Sequence, residues 1–550
     1  MRTIERRIGL LFAGFLLCFL VIVGRAFWLQ GVKGAELASE ATYQQTDVVT
    51  VPGLRGSVLD RHGKALAASE DAATIYATPY QVKNPQRAAD KLATILGEDP
   101  GDVLKSLTAD SGFSYVAKKV DVPTAARVDR LELAGIGQLP DSRRTYPQGE
   151  MAAQVIGAVG DESQGLTGLE VGEESVLHGV DGERQVVKDA LGEPIRLNTI
   201  TEASDGKDIQ LTLDPAIQSK TEEVLAAVGA TYAPKGATAI VMDPRSSQVL
   251  AMANWPPVDL ENLSSANPED LINRATGFTY EPGSTFKAFT VAAALQEGLV
   301  TPESSFTLPP SIQVADRTIS DAEARPTVTL SVAQILAESS NVGAVTIGLQ
   351  VGSTRFSRWI DRFGFGRPTG VQFPAEERGI VPGLSDYSGS TMGNLPIGQG
   401  LSVTPMQMMA GYAAIADGGI LRRPQLIQKV DGEPVTEPPG RRVISAGVAD
   451  QVRTMLEGVL AAGGTASEVS VPGYTLAGKT GTAEVAENGT YSETKYVASF
   501  IGFAPAQDPR LLVSVIVDQP QGDIYGGSVA APAFGEIAQF ALPYLGVPQE

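Results

Sequence analysis

The sequence predicts an α+β protein: a single N-terminal transmembrane helix, then two α+β regions, the second an antiparallel sheet flanked by helices with a helical lobe. Three observations predict this. One apolar run opens the chain; short β-rich runs stand at both ends of the second half; amphipathic and apolar helices lie between them. A chain of 550 residues is too long for one core, and 43% hydrophobic content is that of folded domains.

The apolar run passes from Ile8 to Gly24 without a charge, between Arg6-Arg7 and Arg25. It is slightly short for a ~30 Å hydrocarbon core, but Ala26 to Leu29 extend it while Arg25 snorkels. A cleaved signal peptide needs small residues after the run, where Arg25, Phe27 and Trp28 stand instead. Arg2, Arg6 and Arg7 place the N-terminus inside, so the rest of the chain is expected outside the membrane.

The first exported region begins with two short strands joined by the turn at His62-Gly63, within Val51 to Ala68. Residues 84–137 read as mainly helical, with Asn84-Pro85 and Asp99-Pro100 as start signals. Asp208 to Leu213 alternates like a strand, and Asp214-Pro215 opens a helix. In the second region Ala237 to Pro244 and Gln248 to Asn254 form a hairpin. Helices are expected from Ser284 to Glu297, around Ser331 to Gln350, and from Thr404 to Ala416. Tyr496 to Phe503 and Leu511 to Val517 form a second hairpin, closed by a helix near Ala531 to Leu542.

Scarce residues limit the chemistry. The net charge of −20 disfavours nucleic acid as a partner. The one cysteine, Cys18, lies in the apolar run, so no internal disulfide forms. The two histidines, His62 and His178, both read as exposed loop residues. Any enzyme in the C-terminal two-thirds works without imidazole, and zinc sites of the Cys/His type are excluded there.

Glu281-Pro282-Gly283-Ser284-Thr285-Phe286-Lys287 supplies an alternative. Pro282 and Gly283 break the chain, Ser284 opens an apolar helix, and Lys287 falls one turn later on the same face. A hydroxyl is a poor nucleophile until a base takes its proton. A desolvated lysine beside another cation can be that base. Alone, the motif is an ordinary helix cap followed by a surface lysine. Two further segments alter that reading. Ser339-Ser340-Asn341 interrupts the apolar stretch Ile335 to Ile347, either as a helix cap or as polar groups in a site. Lys479-Thr480-Gly481-Thr482 continues a strand-like run, with glycine where a substrate backbone can approach. Gly473 to Thr480 also fits a phosphate-binding loop. That reading needs a buried strand before it and a helix after, and neither is written here.

Ser-x-x-Lys, Ser-x-Asn and Lys-Thr-Gly, in that order, are the signature of active-site serine penicillin-recognising enzymes. Nearly the whole exported chain resembles class B penicillin-binding proteins, most like the septal FtsI type. The remaining resemblance rests on Arg55-Gly56 with Asp60-Arg61, Arg144-Thr145-Tyr146-Pro147, Gly165 to Glu170, Gly398-Gln399-Gly400 and Thr404 to Gln407. It implies a tail and anchor at 1–29, an elongated α+β pedestal of the dimerisation type at 30–205 and a transpeptidase domain at 206–550.

Carried onto this sequence, the resemblance makes Ser284 the nucleophile toward a D-alanyl stem peptide, Lys287 its base and Ser339 a proton relay. Asn341 orients Lys287 and meets the substrate amide. Lys479, Thr480, Gly481 and Thr482 bind the substrate, with Lys479 keeping Lys287 partly deprotonated. The backbone N–H groups of Ser284 and Thr482 form the oxyanion hole. The resemblance implies no metal or organic cofactor. It implies peptidoglycan stem peptides and β-lactam antibiotics as ligands. It also implies an FtsW-type glycan polymerase and other division proteins as partners, at the bacterial plasma membrane with the catalytic domain outside. Three other readings are an elongation-type transpeptidase, a non-turnover β-lactam sensor or scaffold, and a hydrolase (carboxypeptidase or β-lactamase).

Overall fold

The computed structural model describes residues 2–37, 46–188, 194–436, 438–487 and 490–550. It divides into two compact units, and neither is continuous in sequence. The first gathers 1–54, 70–143 and 179–206; the second gathers 55–69, 144–178 and 207–550.

The first unit opens with the helix Arg2–Phe27, exposed along its described length and, with the turn to Val32, long and apolar enough to cross a membrane. Strands Thr46–Val51, Gly182–Lys188 and Pro194–Thr201 make an antiparallel three-stranded sheet. A separate core lies under helices Pro85–Leu96, Pro100–Leu107 and Val122–Asp129, and is built from Ile75, Ala89, Leu92, Val103, Leu107 and Val128. Asn84 and Asp99 cap the first two helices as expected. The expectation of mainly helix over 84–137 fails at Ser114–Asp121, a strand pairing with Ala72 to Ala77, and at the strand starting at Ile136. Tyr115, Val116 and Val120 suit a pleated surface, but the half-exposed run shows too little alternation to be recognised.

The second unit is organised on a five-stranded antiparallel sheet. Its order is Gln248–Trp255, Gly236–Asp243, Leu511–Asp518, Thr490–Ala504, Ala477–Glu487, so both expected hairpins form and meet at the sheet's centre. Every residue of Leu511–Asp518 is buried, which requires cover on both faces. Helices Ala531–Tyr544 and Pro405–Ala416 pack against this strand, while Pro215–Tyr232 covers the neighbouring Gly236–Asp243 and Gln248–Trp255, and Ala446–Glu457 covers Ala477–Glu487. Ala477–Glu487 ends the sheet, so among the described residues its outer edge has no strand partner within it.

Val58–Leu59 lies parallel to Ile209–Leu211 in the same unit. Beside it Arg55 and Arg144 both grip the buried Glu170. The segments singled out in the sequence as pedestal hallmarks thus fold with residues 207–550 as one compact unit.

Candidate active site

Ser284 stands in a 3-10 turn, Gly283–Phe286, that runs into the α-helix Lys287–Gln296. The expected single helix therefore starts tighter than α. In this turn the Lys287 N–H donates to the Ser284 carbonyl, and Gly283 takes a φ of +54° to enter it. The turn is held from several sides. Gly283 N–H donates to Gly398 O at 3.0 Å, Thr285 Oγ1 to Pro282 O at 2.7 Å, and Tyr412 Oη to Thr285 O at 2.6 Å. Phe286, Phe289, Phe365 and Tyr412 pack beneath it as a ring cluster. Ser284 alone in this turn is half-exposed.

Lys287 is buried, 1% exposed, yet no carboxylate among the described residues pairs with it. Its Nζ donates to Ser339 O at 2.6 Å and Asn341 Oδ1 at 2.6 Å, with Ser339 Oγ at 3.2 Å. Burial is the main force on its proton, drawing the pKa from 10.5 down to about 7 against the pull of Asp321.

The expected helix across Ser331 to Gln350 is broken in two, Val332–Ala337 and Asn341–Val351. Ser340 N–H reaches back to Ile335 O at 3.0 Å, and Ser339 adopts a φ of +60°, a position that usually holds glycine. Such backbone strain costs about 1–3 kcal/mol. It turns both oxygens of Ser339 toward Lys287. Both readings of this segment hold, on different residues. Ser340 caps the second helix by accepting Gly343 N–H at 3.0 Å, while Ser339 and Asn341 face the lysine. The Asn341 amide is fixed by Nδ2 donating to Ser320 O at 2.9 Å.

Lys479, Thr480, Gly481 and Thr482 lie on the edge strand Ala477–Glu487, with no helix after them, which removes the phosphate-loop reading. A Cβ on Gly481 would meet Ser499 Oγ at 2.4 Å, Thr285 Cγ2 at 3.0 Å and Pro282 O at 3.1 Å, so the strand and the Ser284 turn touch there. One on Gly283 would sit 3.1 Å from Ala483 Cβ and 3.4 Å from Thr482 O. Lys479 is fully buried; burial and then repulsion from Lys287 hold its pKa well below the ordinary lysine value. At Lys287 itself burial leads, so desolvation, rather than the second lysine, is the main source of its neutral form. Thr480 Oγ1 meets Thr465 Oγ1 at 2.6 Å, and Thr482 Oγ1 accepts Gly526 N–H at 3.1 Å.

The structure thus brings together all the predicted positions: Ser284, Lys287, Ser339, Asn341 and the strand 479–482. His62 and His178 are exposed, beside Asp214 and Glu174. Asp321, Thr465 and Gly526 adjoin the site without having been read from the sequence. Each reaches it across a long stretch of chain, with no motif of its own.

A half-exposed hydroxyl with a buried, unpaired amine three residues on is the arrangement of a lysine-assisted serine acyltransferase. Comparison with known proteins specifies the kind. Residues 237–539 match the penicillin binding protein transpeptidase domain, and residues 50–211 match the penicillin-binding protein dimerisation domain. The chain is 34% identical to peptidoglycan D,D-transpeptidase FtsI of Escherichia coli K12, over 97% of this chain and 91% of that protein. It is also 34% identical to stage V sporulation protein D of Bacillus subtilis, over 99% of this chain and 86% of that one. Among solved structures, penicillin binding protein 3 of Mycobacterium tuberculosis complexed with aztreonam superposes with a TM-score of 0.72 at 30% identity. That match covers 91% of this chain and 98% of the other. Penicillin binding protein 2X of Streptococcus thermophilus gives a TM-score of 0.76 at 25% identity, covering 90% and 80%. The chain belongs to the class B penicillin-binding proteins and is a transpeptidase of that family.

Proposed function

We propose that this protein cross-links peptidoglycan stem peptides through an acyl-enzyme on Ser284, and that it does so at the division septum. The observation that carries the chemistry is the buried Lys287 amine, held by Ser339 and Asn341 one turn from Ser284. A neutral amine has two N–H groups and one lone pair. Ser339 O and Asn341 Oδ1 are pure acceptors and take the two N–H groups, leaving the lone pair for a hydroxyl proton. Ser284 Oγ gives its proton to Lys287 and attacks the penultimate D-alanine carbonyl. The backbone N–H groups of Ser284 and Thr482 hold the oxyanion, each worth about 3 kcal/mol. Ser339 passes the proton to the departing D-alanine amine. An acceptor amine then attacks the ester, and Ser284 recovers its proton. Lys479, Thr480 and Gly481 on the edge strand bind the donor peptide and its carboxylate. A β-lactam presents the same amide and acylates Ser284.

The helix Arg2–Phe27 anchors the chain in the plasma membrane, with 30–205 as pedestal and 206–550 as the transpeptidase domain outside. The septal assignment is supported by the likeness to FtsI, and with it an FtsW-type polymerase as partner. A fluorescent penicillin tests the chemistry: a covalent adduct on the wild type, lost in Ser284→Ala. Persistence of that adduct would require another nucleophile. Depletion tests the role: filaments with unfinished septa are expected, and rounded, swollen cells would assign elongation instead.

A further inference from the structure

Asp321 carries no motif, yet its carboxylate holds the turn that faces Lys287. The hairpin Ser311–Val314 with Arg317–Ser320 delivers it. Oδ1 accepts the Val342 N–H at 3.0 Å, and Ser340 Oγ lies 3.1 Å from each carboxylate oxygen. Arg325 Nε donates to Oδ2 at 2.5 Å, and Arg325 Nη1 is itself tied to Leu308 O at 3.2 Å. The residue before, Ser320, receives the Asn341 amide. Two neighbouring residues therefore fix Ser340, Asn341 and Val342, which anchors the strained Ser339 from its C-terminal side. The carboxylate is 11% exposed, so solvent screens its charge little.

We propose that Asp321 is a positioning residue for the Ser284 reaction, locking the Ser339–Asn341 turn against Lys287 and presenting a negative charge to the buried amine. The proposal rests on the reading of Lys287 as the base. The charged groups acting on that amine are Asp321 and Lys479, with Arg325 behind Asp321 partly neutralising it. Asp321 favours the ammonium, while burial favours the free amine. The carboxylate thus does two things with opposite consequences for rate. It builds the geometry, and it keeps the base protonated to a higher pH.

The test is the rate of acylation by a fluorescent penicillin between about pH 5 and 10, for wild type, Asp321→Asn and Arg325→Gln, with Ser284→Ala as control. Asparagine keeps an acceptor but not the charge, so the acid limb should move to lower pH by about one unit while the maximal rate falls about tenfold. Arg325→Gln should move the limb the other way, because it unmasks the carboxylate. A slower rate with the limb unmoved in both variants would leave Asp321 a purely structural role and overturn the proposal. If Asp321→Asn does not fold, Arg325→Gln decides alone: an unmoved limb contradicts the proposal. Labelling that survives Ser284→Ala would instead bring down the underlying reading, whatever Asp321 does.

Discussion

Two clusters of buried charge in the same compact unit are handled in opposite ways. Around Glu170, fully buried, every charge is matched: Arg55 bonds its side chain and carbonyl, Arg144 Nε reaches it at 2.8 Å, and Arg144 Nη1 donates to Gly56 O at 2.8 Å. Arg55 also meets Glu174 at 2.6 Å. Around Lys287 and Lys479, equally buried, the two amines face each other and hydrogen-bond neutral oxygens, and the opposing charge of Asp321 acts on Lys287 without bonding it. The paired cluster ties segments together, whereas burial of the two lysines draws their protons off. The first is built for structure. On the proposed mechanism the second serves proton transfer.

The contrast is sharpest in what each lysine or acid does when removed. Lys287→Met should abolish acylation, by ~10³-fold or more, since the hydroxyl loses its base. The fold should be as stable as wild type or better, because a buried charge gives way to an apolar side chain of similar length. Penicillin labelling beside thermal unfolding checks both; a large loss of stability would mean the lysine is structural. Glu170→Ala should do the reverse. Leaving Arg55 and Arg144 buried without their acid should cost about 3–5 kcal/mol in denaturant unfolding, while the molecules still folded acylate at the wild-type rate.

A smaller effect is expected at the junction of strand and turn. Gly481→Ala places a methyl group against Ser499 Oγ and Pro282 O, forcing the strand off the Ser284 turn. Overpacking of this kind costs about 1–3 kcal/mol, and acylation should slow by about 10–100-fold. A rate within experimental error of wild type would show that the close approach is not needed.

The smallest effect is in stability against pH. The folded-state pKa of Lys287 lies below its unfolded value of 10.5, near 7. Between these limits the unfolded chain binds more protons, so stability rises with pH across that window. Compared with Lys287→Met, wild type should therefore gain stability from about pH 7 upward. A parallel pair of curves would mean the amine is not desolvated.

Much of this was written locally. Ser284 and Lys287 share a face because three residues make one turn, and Asn84, Asp99 and Asp214 cap their helices as their side chains dictate. Both hairpins of the central sheet could be read from β-rich runs around Asp-Pro turns. The break at Ser339 could not, because the residue forced to positive φ is a serine and carries none of the signal a glycine would. Ser340 followed by Asn341 and Gly343 does carry a cap signal, which an apolar stretch on both sides obscured. Asp321 reaches Val342 across 21 residues, and Thr465 meets Thr480 across 15, pairings that only tertiary packing defines. The strand Ser114–Asp121 was missed for a related reason, its half-exposed surface leaving no clean period.

The central claim is that burial alone turns an ordinary lysine into the base for Ser284. The direct measurement is the pH dependence of the acylation rate of wild-type protein by a β-lactam, with the adduct mapped to Ser284. The account predicts an acid limb centred near pH 7, the value to which burial draws Lys287. A limb near the ordinary lysine value of 10.5, or a rate flat through neutrality, would contradict it.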